Sequence, residues 1–329
     1  MQAIRIHEIG GPEVMHLEEV ETPTPKEGEV LIKIAAAGIN YADLDQRQGV
    51  YLTHTRIPMT LGFEVAGTIA ALGPGVTAPA VGTRVIALVD GGYAEYAVAN
   101  VSTLIPIPEN LDFARAAAFL VQGLTAYQTL RESGHFQAGE SVLVHGAAGG
   151  VGTLAVQLAR LMGAGKIIGT ASNENKLGMV RRLGADAAIN YTQEDWMDQV
   201  KRATNGRGAD ISLEVVGGKI AAQSLQCLAP FGRMVVIGAV SGQPAQFTGL
   251  QLMNKNLSVV GYWLTTWANY HPDRLAAATA ELMRFLASGK LHIIIDQTFP
   301  LEKAAEAHRA IAERKAKGKV VLLMTTQRN

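Results

Sequence analysis

The run Val142-Leu143-Val144-His145-Gly146-Ala147-Ala148-Gly149-Gly150-Val151-Gly152 constrains the fold of this chain more than any other stretch. An apolar strand breaks into small residues and then opens a helix. The apolar positions Val151, Leu154, Ala155, Leu158, Leu161 and Met162 of that helix recur on one face. Strand, small-residue turn and amphipathic helix in this order make a pyrophosphate-binding turn. Small residues let the backbone approach a phosphate, and the helix N-terminus supplies free N–H groups and a partial positive charge. The pattern reads Ala147-x-Gly149-x-x-Gly152, with alanine in place of the first glycine of the common form. It predicts a dinucleotide site built on Ala147, Ala148, Gly149, Gly150, Val151 and Gly152. The alternative is a Gly-rich turn in an unrelated α/β domain.

The rhythm around this turn sets the fold class. From Ser141 to Leu264, apolar strand candidates alternate with helical stretches, the signature of a doubly wound parallel sheet. Before it, short strand candidates follow one another with Gly and Pro punctuation and no long helix. They are Ala3–Glu8, Leu17–Glu21, Glu29–Ala36, Val65–Leu72, Arg84–Val89 and Tyr93–Val98, and they predict a β-rich, barrel-like domain. Leu111–Glu132 reads as helical, interrupted at Gly123. The tail carries helices at Asp273–Ser288 and Leu301–Arg314 and strands near Gln297–Phe299 and Lys319–Met324. The expected architecture is therefore α/β, and if the tail returns to the β-rich domain, one discontinuous domain at residues 1–122 and 266–329 flanks a dinucleotide-binding domain at 123–265.

Composition removes several classes. Lys plus Arg and Asp plus Glu both number 29, so the chain lacks the basic excess of a general nucleic-acid binder. No apolar run reaches the roughly 18 residues that predict a membrane span, and the N-terminus lacks the plan of a signal peptide. A cytoplasmic location is the expectation. The single cysteine, Cys227, excludes an internal disulfide and a cysteine-built zinc site, and helical periodicity around it predicts a buried small hydrophobe. His145 reads as structural.

The cofactor type is legible about 20 residues beyond the turn, where an NAD site usually has an acid for the ribose diol. Here the segment is Thr170-Ala171-Ser172-Asn173-Glu174-Asn175-Lys176. Ser172 stands in the acid's place. The hydroxyl, amide and ammonium groups of Ser172, Asn173 and Lys176 suit a 2′-phosphate, so NADPH is expected. Glu174 argues the other way, and Lys176 also fits an ordinary solvated helix position.

With Asn40-x-x-Asp43-x-x-x-Arg47-x-Gly49-x-Tyr51 and Gly62-Phe63-Glu64-x-x-Gly67 added to the phosphate turn, the chain resembles the medium-chain dehydrogenase/reductase superfamily. More narrowly it resembles the zinc-independent, NADPH-dependent quinone oxidoreductases, the ζ-crystallin-like branch. The resemblance covers essentially the whole chain. It implies a GroES-like barrel completed by the C-terminal tail, a Rossmann domain, and a homodimer formed through Rossmann sheet edges, with Asn256–Gly261 as the candidate edge. Zinc relatives carry a cysteine near Asn40 and a histidine near Phe63. This chain lacks both, so no metal is expected. Hydride transfer to a quinone is then the implied activity, because a zinc-free site favours an acceptor that is already electron-poor. An enoyl or alkenal reductase is the enzymatic alternative, and a non-catalytic NADPH-binding sensor or structural protein is the other.

The resemblance also implies individual roles. Asn40 lies near the nicotinamide, or stabilises its own turn. Tyr51 contacts the acceptor, or packs. Thr125 stands on the nicotinamide side, and Tyr191 lies beside the 2′-phosphate. Gly217, Gly238 and Ala239 end strands where backbone touches cofactor. Tyr262, Trp263 and Leu264 form the segment that recognises the carboxamide, with Trp263 alternatively an aromatic anchor. Lys319 reaches the 2′-phosphate or is solvated. Asp43 and Arg47, at i and i+4, read as a helix ion pair.

Overall fold

The structure, a computed structural model, describes residues 1–324. In chain order the first strands are β1 (Gln2–Ile6), β2 (His16–Glu19), β3 (Glu29–Ile39), β4 (Met59–Thr60) and β5 (Glu64–Leu72). β6 (Arg84–Leu88), β7 (Tyr96–Asn100) and β8 (Ile105–Pro106) follow, with helices α1 (Tyr41–Arg47), α2 (Phe113–Ala117) and α3 (Leu120–Gln128). Strands β9 (Ser141–Val144), β10 (Lys166–Ala171), β11 (Ala187–Asn190), β12 (Ala209–Glu214), β13 (Leu228–Val236) and β14 (Ser258–Gly261) come next. Between and after them lie α4 (Gly150–Leu161), α5 (Glu174–Arg182), α6 (Trp196–Ala203), α7 (Gly218–Gln226), α8 (Gly249–Met253), α9 (Leu264–Tyr270) and α10 (Pro272–Ala287). The described chain ends with β15 (Ile295–Pro300), α11 (Ala304–Ala312) and β16 (Lys319–Leu323).

Two compact units result. One holds Met1–Val121 and the described residues from Ile294 on; the other holds Gln122–Ile293. The second boundary falls later than the 266 expected from the sequence, for a local reason. Ala278 and Leu282 bury the inner face of α10. Arg274 pairs with Glu132. The Gln157 side chain on α4 then holds both the carbonyl and the N–H of His292, at 2.9 and 2.8 Å. Those bonds keep the chain with the Gln122–Ile293 unit well past α9.

In that unit the six strands are parallel, in the order β11-β10-β9-β12-β13-β14. β9 and β12 are buried at every position, as expected for strands covered on both faces. Leu143, Ile168, Ile189, Trp196 and Val200 form one core cluster, and Leu225, Leu228 and Met234 another. β14 lies at the edge, as anticipated for Asn256–Gly261. β14 ends at Gly261, and Leu264–Tyr270 is helix α9.

The other unit is mostly antiparallel. One path runs β15-β16-β3-β5-β6-β8 with β7 also on β3, and a small sheet runs β2-β1-β4. Val30, Ile32, Ile34, Val65, Ile69 and Val85 belong to its core. The expected helix Leu111–Glu132 is divided at Ala118 rather than at Gly123. α2 ends where the Ala117 carbonyl presses against Gly38 of β3, at a point where any Cβ on Gly38 would overlap it. Beyond α3 the last turn widens to a π-helix at Thr129–Ser133.

Asp43 and Arg47 do not pair with each other. Asp43 Oδ2 accepts from the Asn40 backbone N–H at 2.7 Å and from Tyr93 Oη at 2.9 Å. Arg47 Nε donates to the Gly10 carbonyl at 3.1 Å, and its Nη1 lies 3.2 Å from His308 Nδ1. Guanidinium can only donate, so Nδ1 accepts. Nε2–H of His308 then donates to Tyr93 Oη at 3.1 Å, and Tyr93 to Asp43. Burial pulls His308 down from 6.5 to about 3, with Arg47 adding to it, so the ring is neutral. Burial pushes the Asp43 carboxyl up from 3.8 to about 7, against the opposing pull of the Asn40 N–H, Tyr93 and Lys319.

These two groups give opposite pH slopes. Between 3.8 and about 7 the folded chain holds more proton on Asp43 than the unfolded chain, so this contribution to stability falls as pH rises. Between about 3 and 6.5 the folded chain holds less proton on His308, so that contribution grows as pH rises. Asp43→Asn removes only the first. Its melting temperature should climb more steeply with pH across the shared window than the parent's, measured by thermal denaturation at a series of pH values. Parallel profiles would contradict the assignment.

Candidate functional site

Apart from Thr125 on α3 and Lys176 in the first turn of α5, the expected cofactor residues of the Gln122–Ile293 unit follow the C-terminal ends of parallel strands. That is where open α/β sheets bind ligands. The turn Gly146–Gly152 follows β9, Ser172 and Asn173 follow β10, and Tyr191 follows β11. Gly217 follows β12, Gly238 and Ala239 follow β13, and Tyr262 and Trp263 follow β14, with Leu264 opening α9.

The phosphate turn has the shape the motif demands. Gly146 takes φ +59°, and a Cβ on Gly152 would overlap the Gly146 carbonyl, so α4 packs on the strand end with no side chain between. α4 starts at the N-cap Gly149 with no side-chain cap. The N–H groups of Gly150, Val151 and Gly152 make no backbone bond among the described residues. This cradle fits a diphosphate.

Beside it, the Tyr191 N–H bonds the Ala171 carbonyl at 3.2 Å, which puts Tyr191 next to Ser172. Asn173 caps α5, its Oδ1 accepting the Lys176 N–H at 3.0 Å. Glu174, the one acid nearby, is turned along α5 into an ion pair with Arg181. Ser172, Asn173 and Lys176 thus lie together after β10 with Tyr191 beside Ser172, and the acid among them, Glu174, is paired. On the other flank, the left-handed Gly217 (φ +81°) faces Ala239, whose Cβ lies 3.0 Å from where a Gly217 Cβ would stand.

A buried polar chain beneath these turns was missed in the sequence beyond the reading of His145 as structural. His145 Nδ1 lies 2.9 Å from Thr170 Oγ1, and Nε2 lies 2.7 Å from Ser224 Oγ. Ser224 reaches Glu214 Oε2 at 3.1 Å. Glu214 Oε1 accepts the N–H groups of Val216 at 2.5 Å and Gly217 at 3.0 Å. Burial holds His145 below its ordinary range, so it is a neutral relay of hydrogen bonds and not half of an ion pair with Glu214. Thr125 and Tyr262 also meet: the Thr125 hydroxyl donates to the Tyr262 hydroxyl, which donates to Gln128 Oε1 at 2.8 Å. Burial drives the Tyr262 hydroxyl above the ordinary tyrosine range. Gln128 was not singled out from sequence; its only signal is its i, i+3 spacing from Thr125.

The remaining expected residues lie in the other unit. Tyr51 packs on Phe63 with ring centroids 5.9 Å apart. Asn40 caps α1 through a box with Asp43 and is nearly fully buried. Lys319 is a correction. Val320 of β16 pairs with Ile39 of β3, and Gly38 of β3 pairs with Glu64 of β5. This register aligns Lys319, Asn40 and Glu64 across three strands. Lys319 Nζ donates to Asn40 Oδ1 and Glu64 Oε2, each at 2.8 Å, and the side chain is 1% exposed. The other Glu64 oxygen accepts the Val121 N–H at 3.0 Å. A solvated lysine or one reaching for a 2′-phosphate does not match this burial. Asn40 Nδ2 spends its contacts on the Gly38 carbonyl and Glu64, both at 3.3 Å. Among the described residues no group of three or more His, Cys, Asp or Glu could hold a metal ion.

Removing one member of a buried ion pair leaves the other uncompensated, a loss of roughly 3–5 kcal/mol, whereas removing both is often near neutral. Lys319→Met should therefore lose stability in that range in urea unfolding, and Lys319→Met with Glu64→Leu should recover most of it. The single variant should keep the parent's ratio of NADPH to NADH affinity. A selective loss of NADPH affinity would restore the phosphate role to Lys319.

Residues 26–109 match the family described as the alcohol dehydrogenase GroES-like domain, and residues 150–283 that described as zinc-binding dehydrogenase. A quinone oxidoreductase of Lama guanicoe is 39% identical over 328 residues, covering 98% of each chain. The solved Escherichia coli quinone oxidoreductase complexed with NADPH superposes with a TM-score of 0.92 at 33% identity, covering 98% of this chain and all of that one. The CurK enoyl reductase superposes with a TM-score of 0.90 at 30% identity, covering 98% and 99%. The chain is an oxidoreductase of the medium-chain dehydrogenase/reductase superfamily and belongs to its quinone oxidoreductases.

Proposed function

We propose that this protein is an NADPH-dependent reductase that transfers a hydride to quinones. The observation that carries the cofactor reading is the end of β10, where Ser172, Asn173 and Lys176 gather beside Tyr191 and the nearest acid, Glu174, is held by Arg181. Full-length similarity to quinone oxidoreductases, one of them solved with NADPH, supports the acceptor and cofactor class.

In this reading the N–H groups of Gly150, Val151 and Gly152 hold the diphosphate against the α4 dipole, and Ala147, Ala148 and Gly149 let it approach. Ser172, Asn173 and Lys176 hold the 2′-phosphate, with Tyr191 against the adenosine. The backbone of Gly217, Gly238 and Ala239, together with Tyr262, Trp263, Leu264 and Thr125, orients the nicotinamide half. When bound, NADPH supplies the hydride. The chain's own part is orientation and exclusion of water, and a water proton completes the hydroquinone. Tyr51 contacts the acceptor. Asn40, locked by Lys319 and Glu64, is a fixed polar group rather than a mobile donor.

The CurK resemblance favours a second acceptor class, the α,β-unsaturated carbonyls. NADPH oxidation measured over a panel of quinones, enals and enones separates the two: faster turnover of enones than of any quinone would overturn the quinone reading.

The cofactor reading has its own test. A contact to a charged phosphate is worth roughly 1.5–3 kcal/mol, about tenfold to a hundredfold in affinity. Lys176→Ala should weaken NADPH by that factor and leave NADH within twofold, in fluorescence titration. A parent enzyme that prefers NADH would sink it.

The partner implied is a second copy of this chain. β14 is an unpaired sheet edge, and Phe231, Leu250 and Met253 of the same unit are more than two-thirds exposed. Sedimentation should give a dimer, and Val259→Pro on that edge should yield monomer. A monomeric parent would contradict this.

A further inference from the structure

The phosphate cradle is covered by one side chain that lies outside its motif. Gln122 stands in the first turn of α3 and is 9% exposed. A Cβ built on Gly150 would overlap its Oε1, Cδ and Nε2. The whole carboxamide therefore occupies the space that this glycine leaves open, directly over the first residue of α4.

That carboxamide has no protein partner among the described residues. No hydrogen bond joins either of its polar atoms to another described residue, and neither atom is among the fully sealed polar atoms without partners. A neutral amide that is nine-tenths buried, without a protein partner and not sealed off is open to a polar group that arrives from outside. What it faces is the uncapped N-terminus of a twelve-residue helix, with the N–H groups of Gly150, Val151 and Gly152 beside it. Those groups and the helix dipole call for an anion. An amide Nε2–H is a donor that can join them without adding charge.

We propose that Gln122 is a further cofactor-binding residue, its Nε2–H donating to a diphosphate oxygen seated on the α4 N-terminus. This rests on the dinucleotide reading given above. It also accounts for Gly150: a side chain there would displace the amide from the anion. The diphosphate is then held by the backbone of the turn and by a side chain of α3.

The test measures NADPH affinity by fluorescence titration in the parent, Gln122→Glu and Gln122→Met. Adenosine 2′-monophosphate, which lacks the diphosphate, is titrated in parallel, and melting temperature is recorded. Gln122→Glu puts a negative charge over the phosphates and should weaken NADPH about tenfold to a hundredfold. Gln122→Met, similar in volume but without a donor, should weaken it by about tenfold. Both should leave adenosine 2′-monophosphate within twofold. NADPH affinity within twofold of the parent in both variants would overturn the proposal, and so would equal losses for NADPH and adenosine 2′-monophosphate. If Gln122→Glu fails to fold, Gln122→Met decides alone. A parent that binds adenosine 2′-monophosphate but not NADPH would overturn the cofactor reading itself and this proposal with it, an outcome distinct from unaltered variants.

Discussion

The carboxylate of Glu214 is fully buried with no cation beside it, and the cofactor turns are arranged around how it is satisfied. One oxygen takes the two N–H groups of the Val216–Gly217 turn; the other takes Ser224. Through Ser224 and neutral His145 the chain of bonds continues to Thr170, whose carbonyl in turn accepts the Ala147 N–H at 3.0 Å. Strands β9, β10 and β12 are thereby fixed at their C-terminal ends by one sealed network. A half-satisfied network would be worse than an apolar core, so each of these residues depends on the others. The three turns that follow those strands inherit their positions from it.

The unit containing both chain termini uses the same device with a formal charge pair. Lys319 and Glu64 are sealed together, and Gly38 permits it, because a Cβ there would stand 2.8 Å from Lys319 Cε and 2.9 Å from Glu64 Oε2. This ties the last described strand to β3 and β5 and orients Asn40 from both sides. Asn40 then caps α1, and Asp43 on that helix leads into the Tyr93–His308–Arg47 chain. Two buried networks thus do in the two units what disulfides cannot do in a chain whose single cysteine is buried and unpaired.

Much of this was legible beforehand because it repeats along the chain. The 3.6-residue spacing of Val151, Leu154, Ala155 and Leu158 and the small residues of Gly146–Gly152 are local signals, and β9, the turn and α4 form as the pattern requires. The alternation of strand and helix likewise gave the parallel sheet. Boundaries were less legible. α10 remains with the parallel sheet because Gln157 holds His292, a contact across more than a hundred residues that no local pattern carries. The expected Asp43–Arg47 pair followed from helix spacing alone, but the side chains bond residues distant in sequence, Asp43 to Tyr93 and Arg47 to His308.

The sequence by itself determined the class of each element, the phosphate turn, the missing acid at Ser172 and the membership in a reductase superfamily, because these depend on residue type and near spacing. Only the tertiary structure decided which polar groups face the site and which are consumed beneath it. Lys319 changed from a phosphate ligand to a buried counter-ion because the β16–β3–β5 register places it opposite Asn40 and Glu64. Gln122, silent in the sequence, came to lie over the phosphate turn because α3 packs there. In both cases burial and partner geometry set the role, and these arise from strands and helices far apart in the chain.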